Sequence, residues 1–214
     1  GPAGWIELQS DTLPQDRDYA LELFAAMEAL NKKWVGETTI KLAEDAELLE
    51  AAAKSGLQYL LVGLETPSRE ALKRAGKGFV RPDQVKQHIK HIHEYDIIVD
   101  SCAMFGFDEH DTSIFDAAID YFMDIELDVC AGNIMTPYPG TNLFNRLEQE
   151  GRILTRDWSK YDGTHAVFQP KNMSPEQLEQ GMYKFWSHFY KPSVMAKRKY
   201  AQLRNVGLSK SLMI

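Results

Sequence analysis

The chain has 214 residues, of which 44 % are hydrophobic and 26 % are charged, and its formal net charge is −7. This composition is typical of a soluble globular protein that can bury a substantial core. The acidic balance and the lack of a long basic block argue against nucleic acid as a partner. We find neither a signal-peptide pattern nor the roughly 18 consecutive apolar residues that a spanning helix needs, so we expect a cytoplasmic protein without membrane contact.

Strand and helix patterns alternate along the first two thirds of the chain. Apolar and β-branched stretches predict five strands, at 4–12, 33–41, 58–66, 97–107 and 128–141. Helical spacing of apolar residues predicts a helix after each of the first four strands, with two helices between the third and fourth, at 16–32, 44–56, 68–76, 81–96 and 111–126. This alternation indicates a parallel sheet covered by helices, wound as an open doubly wound sheet or as part of a (β/α) barrel.

The pattern changes after the fifth strand, where a short helix at 143–153 and a loop-rich segment precede one or two C-terminal helices. Ser174 and Pro175 predict the N-cap and first position of the first of these helices, and Pro192 predicts a break. We therefore expect three parts: an expression scar at 1–4, a β/α part at 5–142, and a loop and helical extension at 143–214.

The stretch "LQYLLVGLETPSREALKRAGKGF" at 57–79 ends an apolar strand on a carboxylate, Glu65. This side chain could cap the next helix, or it could pair with Arg69 or Lys73. The preceding Gly63 favours a binding role, because a glycine lets a ligand approach the backbone closely. A carboxylate in this position can accept two hydroxyl hydrogen bonds from a ribose.

Two further stretches lie at the carboxyl ends of predicted strands and therefore shape the same face as Glu65. "AMFGFDEHD" at 103–111 is interpreted as a tight turn with an acidic helix cap rather than a metal site. Phe105 or Phe107, beside Gly106, could offer an adenine ring a flat apolar surface. "TPYPGT" at 136–141 predicts a rigid loop, since two prolines and a glycine restrict the backbone.

No metal site is predicted from the residues themselves. Cys102 and Cys130 lie in apolar strand contexts and are interpreted as two buried thiols of a reducing compartment. His88 and His91 could bind zinc by their spacing, but the polar pattern around them favours a solvated helix face. The glycine-rich dinucleotide and phosphate motifs, the zinc-protease motif and the nucleophile elbow are all missing.

Four stretches in order, at 10–27, 32–78, 102–111 and 135–153, together resemble the radical S-adenosylmethionine (SAM) superfamily. The resemblance is narrower to the Fe–S oxidoreductase branch whose members carry an N-terminal cobalamin-binding (B12-binding) domain. It covers about residues 5–165, and the C-terminal helices resemble the extension of that branch.

The resemblance implies an α/β fold, a partial (β/α) TIM-like barrel with parallel strands plus a C-terminal helical extension. In the family a [4Fe–4S] cluster lies at the strand ends, where SAM is cleaved reductively to a 5′-deoxyadenosyl radical. By the same resemblance, Gln9, Ser10 and Asp11 fall where the second barrel strand approaches the SAM amino group. Glu65 falls where the fourth strand offers a side chain to the ribose.

The resemblance also implies cofactor contacts from the last two strands. Phe105, Gly106 and Phe107 fall at the adenine contact of the fifth barrel strand. Thr136 and Tyr138 fall at the end of the sixth strand, near the adenosine. No catalytic residue is assigned.

One departure from the family is severe. Its cluster is held by three thiolates in C-x-x-x-C-x-x-C after the first strand, and this chain has neither that motif nor that strand. We therefore expect the C-terminal part of a longer enzyme, inactive alone and binding no cofactor tightly, whose parent uses SAM, a [4Fe–4S] cluster and cobalamin. The alternative is a non-catalytic partial barrel that binds a nucleoside or a partner. An ordinary phosphate-binding barrel is a weaker third reading, since no glycine-rich phosphate loop follows the last strand.

The expected partners follow from this reading. The parent would act on a small-molecule substrate, with methyl transfer, ring closure and rearrangement all open, and this chain would contact the missing N-terminal domain. The strand at 4–12 would expose an unpaired edge, so we expect self-association through it.

Overall fold

Five strands form one sheet in the computed structural model, which describes residues 4–13 and 16–211, with the side chains of 10–13 and 207–211 left aside. The strands are β1 (Trp5–Leu13), β2 (Lys33–Thr38), β3 (Leu57–Val62), β4 (Ile98–Phe105) and β5 (Val129–Ile134). Their spatial order is β1-β2-β3-β4-β5, and every neighbouring pair is parallel. All carboxyl ends therefore lie at the same edge of the sheet.

Helices connect and cover the strands. They are α1 (Arg17–Glu28), α2 (Ala46–Lys54), α3 (Arg69–Arg74), α4 (Pro82–His93), α5 (Ile114–Asp124), α6 (Asn142–Gln149), α7 (Pro175–Phe189) and α8 (Pro192–Ser211). The result is an α/β fold, a partial (β/α) barrel with a C-terminal helical extension, which confirms the predicted fold class. Within the described ranges, none of the helices combines the length and the apolar character that a bilayer-spanning segment requires.

Local chemistry sets several helix ends where the sequence predicts them. Ser174 caps α7 through a reciprocal box with Gln177, and Pro175 occupies the first turn. Pro192 begins α8, so the predicted break between two helices is confirmed. Gly56 follows α2 with φ +100°, and a Cβ there would lie 2.1 Å from the carbonyl oxygen of Lys32. Only glycine fits this turn.

The two faces of the sheet differ in character. One face packs against the helices, where fully buried side chains such as Trp34, Leu60 and Phe122 form the core. Trp34 stacks on Phe24 of α1 at 5.5 Å between ring centroids. Alternate positions point to the concave face, where Asp100 is half-buried. This face meets the cavities at the strand ends.

The C-terminal extension covers the outer edge of β5. Tyr190 and Trp186 donate to the carbonyl oxygens of Cys130 and Gly132, at 2.7 and 2.9 Å. Next to these contacts, Arg198 donates to the carbonyl of Asp128 at 2.9 Å, and Ile134 N donates to the carbonyl of Gly163 at 2.7 Å. Main-chain groups at alternate positions along this edge are therefore satisfied by the extension.

Four strands end earlier than predicted. β3 ends at Val62 rather than 66 and β4 ends at Phe105 rather than 107, whereas the ends of β2 and β5 reshape the rim. β2 ends at Thr38 rather than 41, and a 3-10 turn over Ile40–Glu44 follows. β5 ends at Ile134 rather than 141, because the proline-rich segment 136–141 leaves the sheet. In both places the polar residues after the strand form the loop, which brings them to the rim of the site.

Candidate functional site

A cavity of about 480 Å³ opens at the carboxyl ends of β2, β3 and β4, and we call it the Glu65 cavity. Its lining includes Glu37, Thr39, Leu61, Glu65, Lys77 and Phe79. Parallel α/β folds place their ligand sites at this end of the strands, since the loops there can vary without disturbing the core.

Glu65 lies just beyond β3 and turns its carboxylate into this cavity. The side chain is 14 % exposed and forms an ion pair with Lys77. Ser68 rather than Glu65 caps α3. The ion-pair partner of Glu65 is Lys77 rather than Arg69 or Lys73. The carboxylate is thus available to the cavity, with one cation beside it.

Lys77 is the residue that the sequence analysis missed. α3 ends in a tight turn in which Gly76 has φ +74° and Lys77 N donates to the carbonyl of Leu72 at 2.8 Å. This turn folds Lys77 back over the end of β3. A Cβ on Gly63 would lie 2.7 Å from Lys77 Nζ, so the glycine makes room for the ion pair. The signal in the sequence was the "AGKG" turn at 75–78.

A second cavity, of about 650 Å³, adjoins the first and we call it the Asp108 cavity. Its lining includes Ala75, which also lines the Glu65 cavity, and Phe107, Met135 and Arg146. The two cavities therefore form adjoining parts of one concave surface across the ends of β2 to β5.

Asp108 anchors the extension to this rim. Its carboxylate, with the side chain only 6 % exposed, accepts from Arg146 and Arg152 and pairs with Lys171. Burial opposes its ionisation, but hydrogen bonds from the three cations outweigh burial and lower the pKa of Asp108 to about 2. The carbonyl of Asp108 also accepts from Asn172 Nδ2 at 2.7 Å. The loop after β4 is thereby held by α6 and by the segment that follows it.

The predicted adenine-contact residues divide between the cavity and the core. Phe107 lines the Asp108 cavity. Phe105 is 1 % exposed and packs against Phe115 and Phe185 on the helix side, so its side chain does not face either cavity. Gly106 has φ +100° and packs under Phe168, whose Cζ would lie 3.0 Å from a Cβ at this position.

Of the remaining predicted site residues that the structure describes, Gln9, Thr136 and Tyr138 do not line either cavity. Gln9 is exposed at the end of the sheet and donates to Glu7 at 3.3 Å. Thr136 is half-buried and donates to the carbonyl of Ile134, and Tyr138 is 52 % exposed. The side chains of Ser10 and Asp11 lie outside the described residues. Glu65 and Phe107 are thus the predicted side chains that reach the concave surface.

The cysteines do not fit an iron–sulfur cluster. Cys102 lines the Glu65 cavity and lies beside Ala131 of β5. Cys130 lies beside Ser101 of β4, on the opposite face of the sheet. Burial raises the pKa of both thiols. Among the described residues there is no group of three or more His, Cys, Asp or Glu that could hold a metal ion. His91, whose spacing from His88 suggested zinc, contacts the carbonyl oxygen of Ala43 through Nδ1 at 2.9 Å.

A family model described as a domain of unknown function, DUF4070, matches residues 141–212. Among curated proteins, bacteriochlorophyllide d C-12(1)-methyltransferase of Chlorobaculum tepidum is 29 % identical over 84 % of this chain and 39 % of its own length. Anaerobic magnesium-protoporphyrin IX monomethyl ester cyclase of Cereibacter sphaeroides is 25 % identical over 74 % of this chain and 26 % of its own length. The chain thus spans less than half of either relative.

Solved structures share the fold. The radical SAM methyltransferase TsrM from Kitasatospora setae, with cobalamin and a [4Fe–4S] cluster bound, has a TM-score of 0.60 and 16 % identity over 86 % of this chain and 37 % of its own. The radical SAM enzyme coproporphyrinogen III oxidase from Escherichia coli has a TM-score of 0.63 and 11 % identity over 88 % of this chain and 41 % of its own. With the curated relatives, these matches confirm the predicted resemblance to the B12-binding branch of the radical SAM superfamily.

Proposed function

We propose that this chain forms the SAM-binding face of a cobalamin-type radical SAM enzyme, and that the whole enzyme transfers a methyl group. The observation that carries the proposal is the Glu65 carboxylate, turned into a cavity of nucleoside size at the carboxyl end of β3. The sequence similarity to named methyltransferases supports the reaction class.

Each group in the Glu65 cavity has a role in this proposal. The Glu65 carboxylate accepts hydrogen bonds from the two ribose hydroxyls, for which its two oxygens are suited. Lys77 faces the anionic end of the ligand, since SAM carries a carboxylate as well as an ammonium group. Leu61 and Phe79 supply the apolar wall, and the ring of Phe79 lies under the Lys41 ammonium group at 4.8 Å.

The iron–sulfur cluster would need ligands from outside these 214 residues, because the chain's two cysteines lie on opposite faces of the sheet. We propose that the parent enzyme supplies the thiolates and a cobalamin domain, and that residues 5–142 and 143–214 form its barrel part and its extension. On its own the chain would neither hold the cluster nor cleave SAM. The same observation favours the second candidate, a partial barrel that binds a nucleoside or a partner without catalysis.

The test uses the parent enzyme reconstituted with iron, sulfide and a reductant. With SAM it should yield 5′-deoxyadenosine, and Glu65→Gln should lower the yield at subsaturating SAM about tenfold through weaker binding. Glu70→Gln, a matched change of an exposed acid on α3, should leave the yield unchanged. SAM binding without any 5′-deoxyadenosine would favour the non-catalytic module. A parent that does not bind SAM would overturn the proposed function and leave only the partner-binding form of the second candidate.

A further inference from the structure

The ladder between β3 and β4 contains one extra residue beside the site. Leu61 pairs with Asp100, and the next pair along the strands is Glu65 with Ala103. The chain thus advances from 61 to 65 on one side but from 100 to 103 on the other. Such a bulge changes the direction of the side chains that follow it.

The extra residue is absorbed in a tight turn centred on Glu65. Thr66 N donates to the carbonyl of Leu64 at 2.7 Å, which closes a three-residue turn, and Glu65 has φ +60°. A side chain in this left-handed region is strained, and a glycine would adopt it freely. The chain nevertheless carries a glutamate here. The turn therefore places a functional carboxylate at a backbone position that surrounding contacts must hold.

Three contacts hold this turn. Leu64 N donates to Ser101 Oγ at 3.2 Å, so the serine hydroxyl replaces the ladder partner that the bulge removes. The carbonyl of Glu65 accepts from Met104 N at 2.6 Å. Thr66 Oγ1 lies 3.1 Å from His110 Nε2. Two of these contacts come from side chains. Ser101 binds the residue before Glu65, and His110 binds the residue after it.

Burial shields the two side-chain contacts from water. Ser101 is 0 % exposed and His110 is 2 % exposed, so water does not compete for their partners. The Thr66 hydroxyl also accepts from Ser68 N at 3.2 Å, which joins the turn to the N-cap of α3. Loss of Ser101 would leave the buried N–H of Leu64 without its partner next to a strained residue. Loss of His110 would leave the Thr66 hydroxyl with Ser68 N alone.

We propose that Ser101 and His110 are positioning residues that hold Glu65 in its left-handed turn and so direct its carboxylate into the cavity. The inference rests on the proposed function for the identity of the ligand. The backbone geometry itself does not depend on any ligand, so it can be tested separately.

The first experiment measures the geometry in this chain without ligand. The ¹³Cα and ¹³Cβ shifts and the ³J(HN–Hα) coupling of Glu65 should report a left-handed residue in the wild type. Ser101→Ala and His110→Phe should each shift these values towards the right-handed or extended range. Ser55→Ala is the matched control, because Ser55 is an equally buried serine that accepts from Trp34 at the other end of β3. Unchanged Glu65 signals in both site variants would overturn the inference, whatever the ligand.

The second experiment measures the affinity of the parent enzyme for S-adenosylhomocysteine by calorimetry. Ser101→Ala and His110→Phe should each weaken binding about tenfold, as should Glu65→Gln. The double variant Ser101→Ala/Glu65→Gln should bind no more weakly than Glu65→Gln alone, since the serine acts through the glutamate. Ser55→Ala should bind as the wild type does.

The outcomes separate the two hypotheses. Additive losses in the double variant, or tight binding by both positioning variants, would overturn the positioning role while leaving the proposed function in place. A wild-type enzyme that binds no S-adenosylhomocysteine would overturn the proposed function, and the Glu65 shifts would then decide the positioning role. If Ser101→Ala does not fold, His110→Phe carries both measurements.

Discussion

Trp186 on α7 donates its indole N–H to the carbonyl oxygen of Gly132 on β5, at 2.9 Å. The fit is close, since a Cβ on Gly132 would lie 2.6 Å from the indole nitrogen. A helix of the extension thus supplies a hydrogen bond that a neighbouring strand would otherwise provide. This contact closes one side of the sheet, and it leads to the first prediction.

Trp186→Phe should destabilise the fold by about 1–2 kcal/mol, because the phenyl ring cannot donate to the Gly132 carbonyl. Urea unfolding followed by circular dichroism would measure the change. Tyr183→Phe is the control, since Tyr183 lies on the same helix and is 73 % exposed. It should change stability by less than about 0.5 kcal/mol. Equal stability of Trp186→Phe and the wild type would show that the edge contact contributes nothing.

Gly181→Ala should destabilise the fold by about 3 kcal/mol. Gly181 lies where α7 meets α5, and a Cβ there would come within 2.0 Å of the Phe115 ring, so the helices would have to move apart. The better helix propensity of alanine, about 1 kcal/mol, is too small to compensate. Gly78→Ala, which meets only an ordinary contact at 3.5 Å, is the control for thermal unfolding. A raised melting temperature for Gly181→Ala would contradict the prediction.

Gly63→Ala should separate binding from stability. The new methyl group would lie 2.7 Å from Lys77 Nζ and 3.0 Å from Glu65 Oε1. Both atoms are ends of flexible side chains that can move at little cost, so the free energy of unfolding should change by less than about 1 kcal/mol. Affinity of the parent enzyme for S-adenosylhomocysteine should nevertheless fall about tenfold. Unaltered affinity would mean that this ion pair takes no part in binding.

Acid should weaken the fold through His110. Burial lowers the pKa of His110 from its ordinary 6.5 to about 4. The unfolded chain therefore binds a proton that the folded chain rejects, and stability falls as the pH decreases below about 6.5. From pH 7 to pH 5 this residue should remove about 2 kcal/mol. His110→Phe, compared with the wild type in urea at both pH values, should show a loss smaller by that amount, and identical losses would contradict the assignment.

The outer edge of β1 should support self-association. Among the described residues no strand pairs with this edge, and unpaired edges invite other strands. The carbonyl of Gly4 accepts from Lys33 N on β2 at 3.1 Å, so the main-chain groups of Gly4, Ile6 and Leu8 face β2. Glu7 lies between Ile6 and Leu8, and its N–H therefore points to the outer edge. We expect a dimer in sedimentation experiments.

Two proline variants would test that expectation. Glu7→Pro should abolish association and leave the fold intact, because it removes an outward N–H. Leu8→Pro, one residue on, should instead unfold the edge, because the N–H of Leu8 points towards β2. A monomeric wild type would refute the expected association, and a Glu7→Pro variant that still dimerises would place the interface elsewhere.

The order of elements could be predicted because each depends on local signals. Apolar strands alternate with amphipathic segments, so the parallel sheet followed directly. Ser174, Pro175 and Pro192 act through capping and backbone restriction, which need no tertiary information. The carboxylate of Glu65 at the end of an apolar run was recognisable for the same reason.

Other parts of the site depend on contacts between distant residues. The position of Lys77 follows from the turn after α3, and the φ of Glu65 follows from a bulge that involves Ser101. Neither is encoded in a single stretch. By contrast, the direction of the Phe105 side chain towards the helices could have been predicted from the alternation along β4, because Ser101 and Ala103 share its buried face. A strand-end position alone does not say which side chain reaches the ligand.

The contacts of the extension with β5 have a consequence for how the molecule unfolds. Arg198, Tyr190 and Trp186 bind main-chain oxygens along that strand. Phe185 and Phe189 of α7 are fully buried, so removal of these helices would also expose the apolar core to water. The helices after residue 174 therefore cannot detach as a separate unit while the sheet remains intact. We expect a single cooperative melting transition. The β5 amides and the α7 amides should also show similar protection from hydrogen exchange.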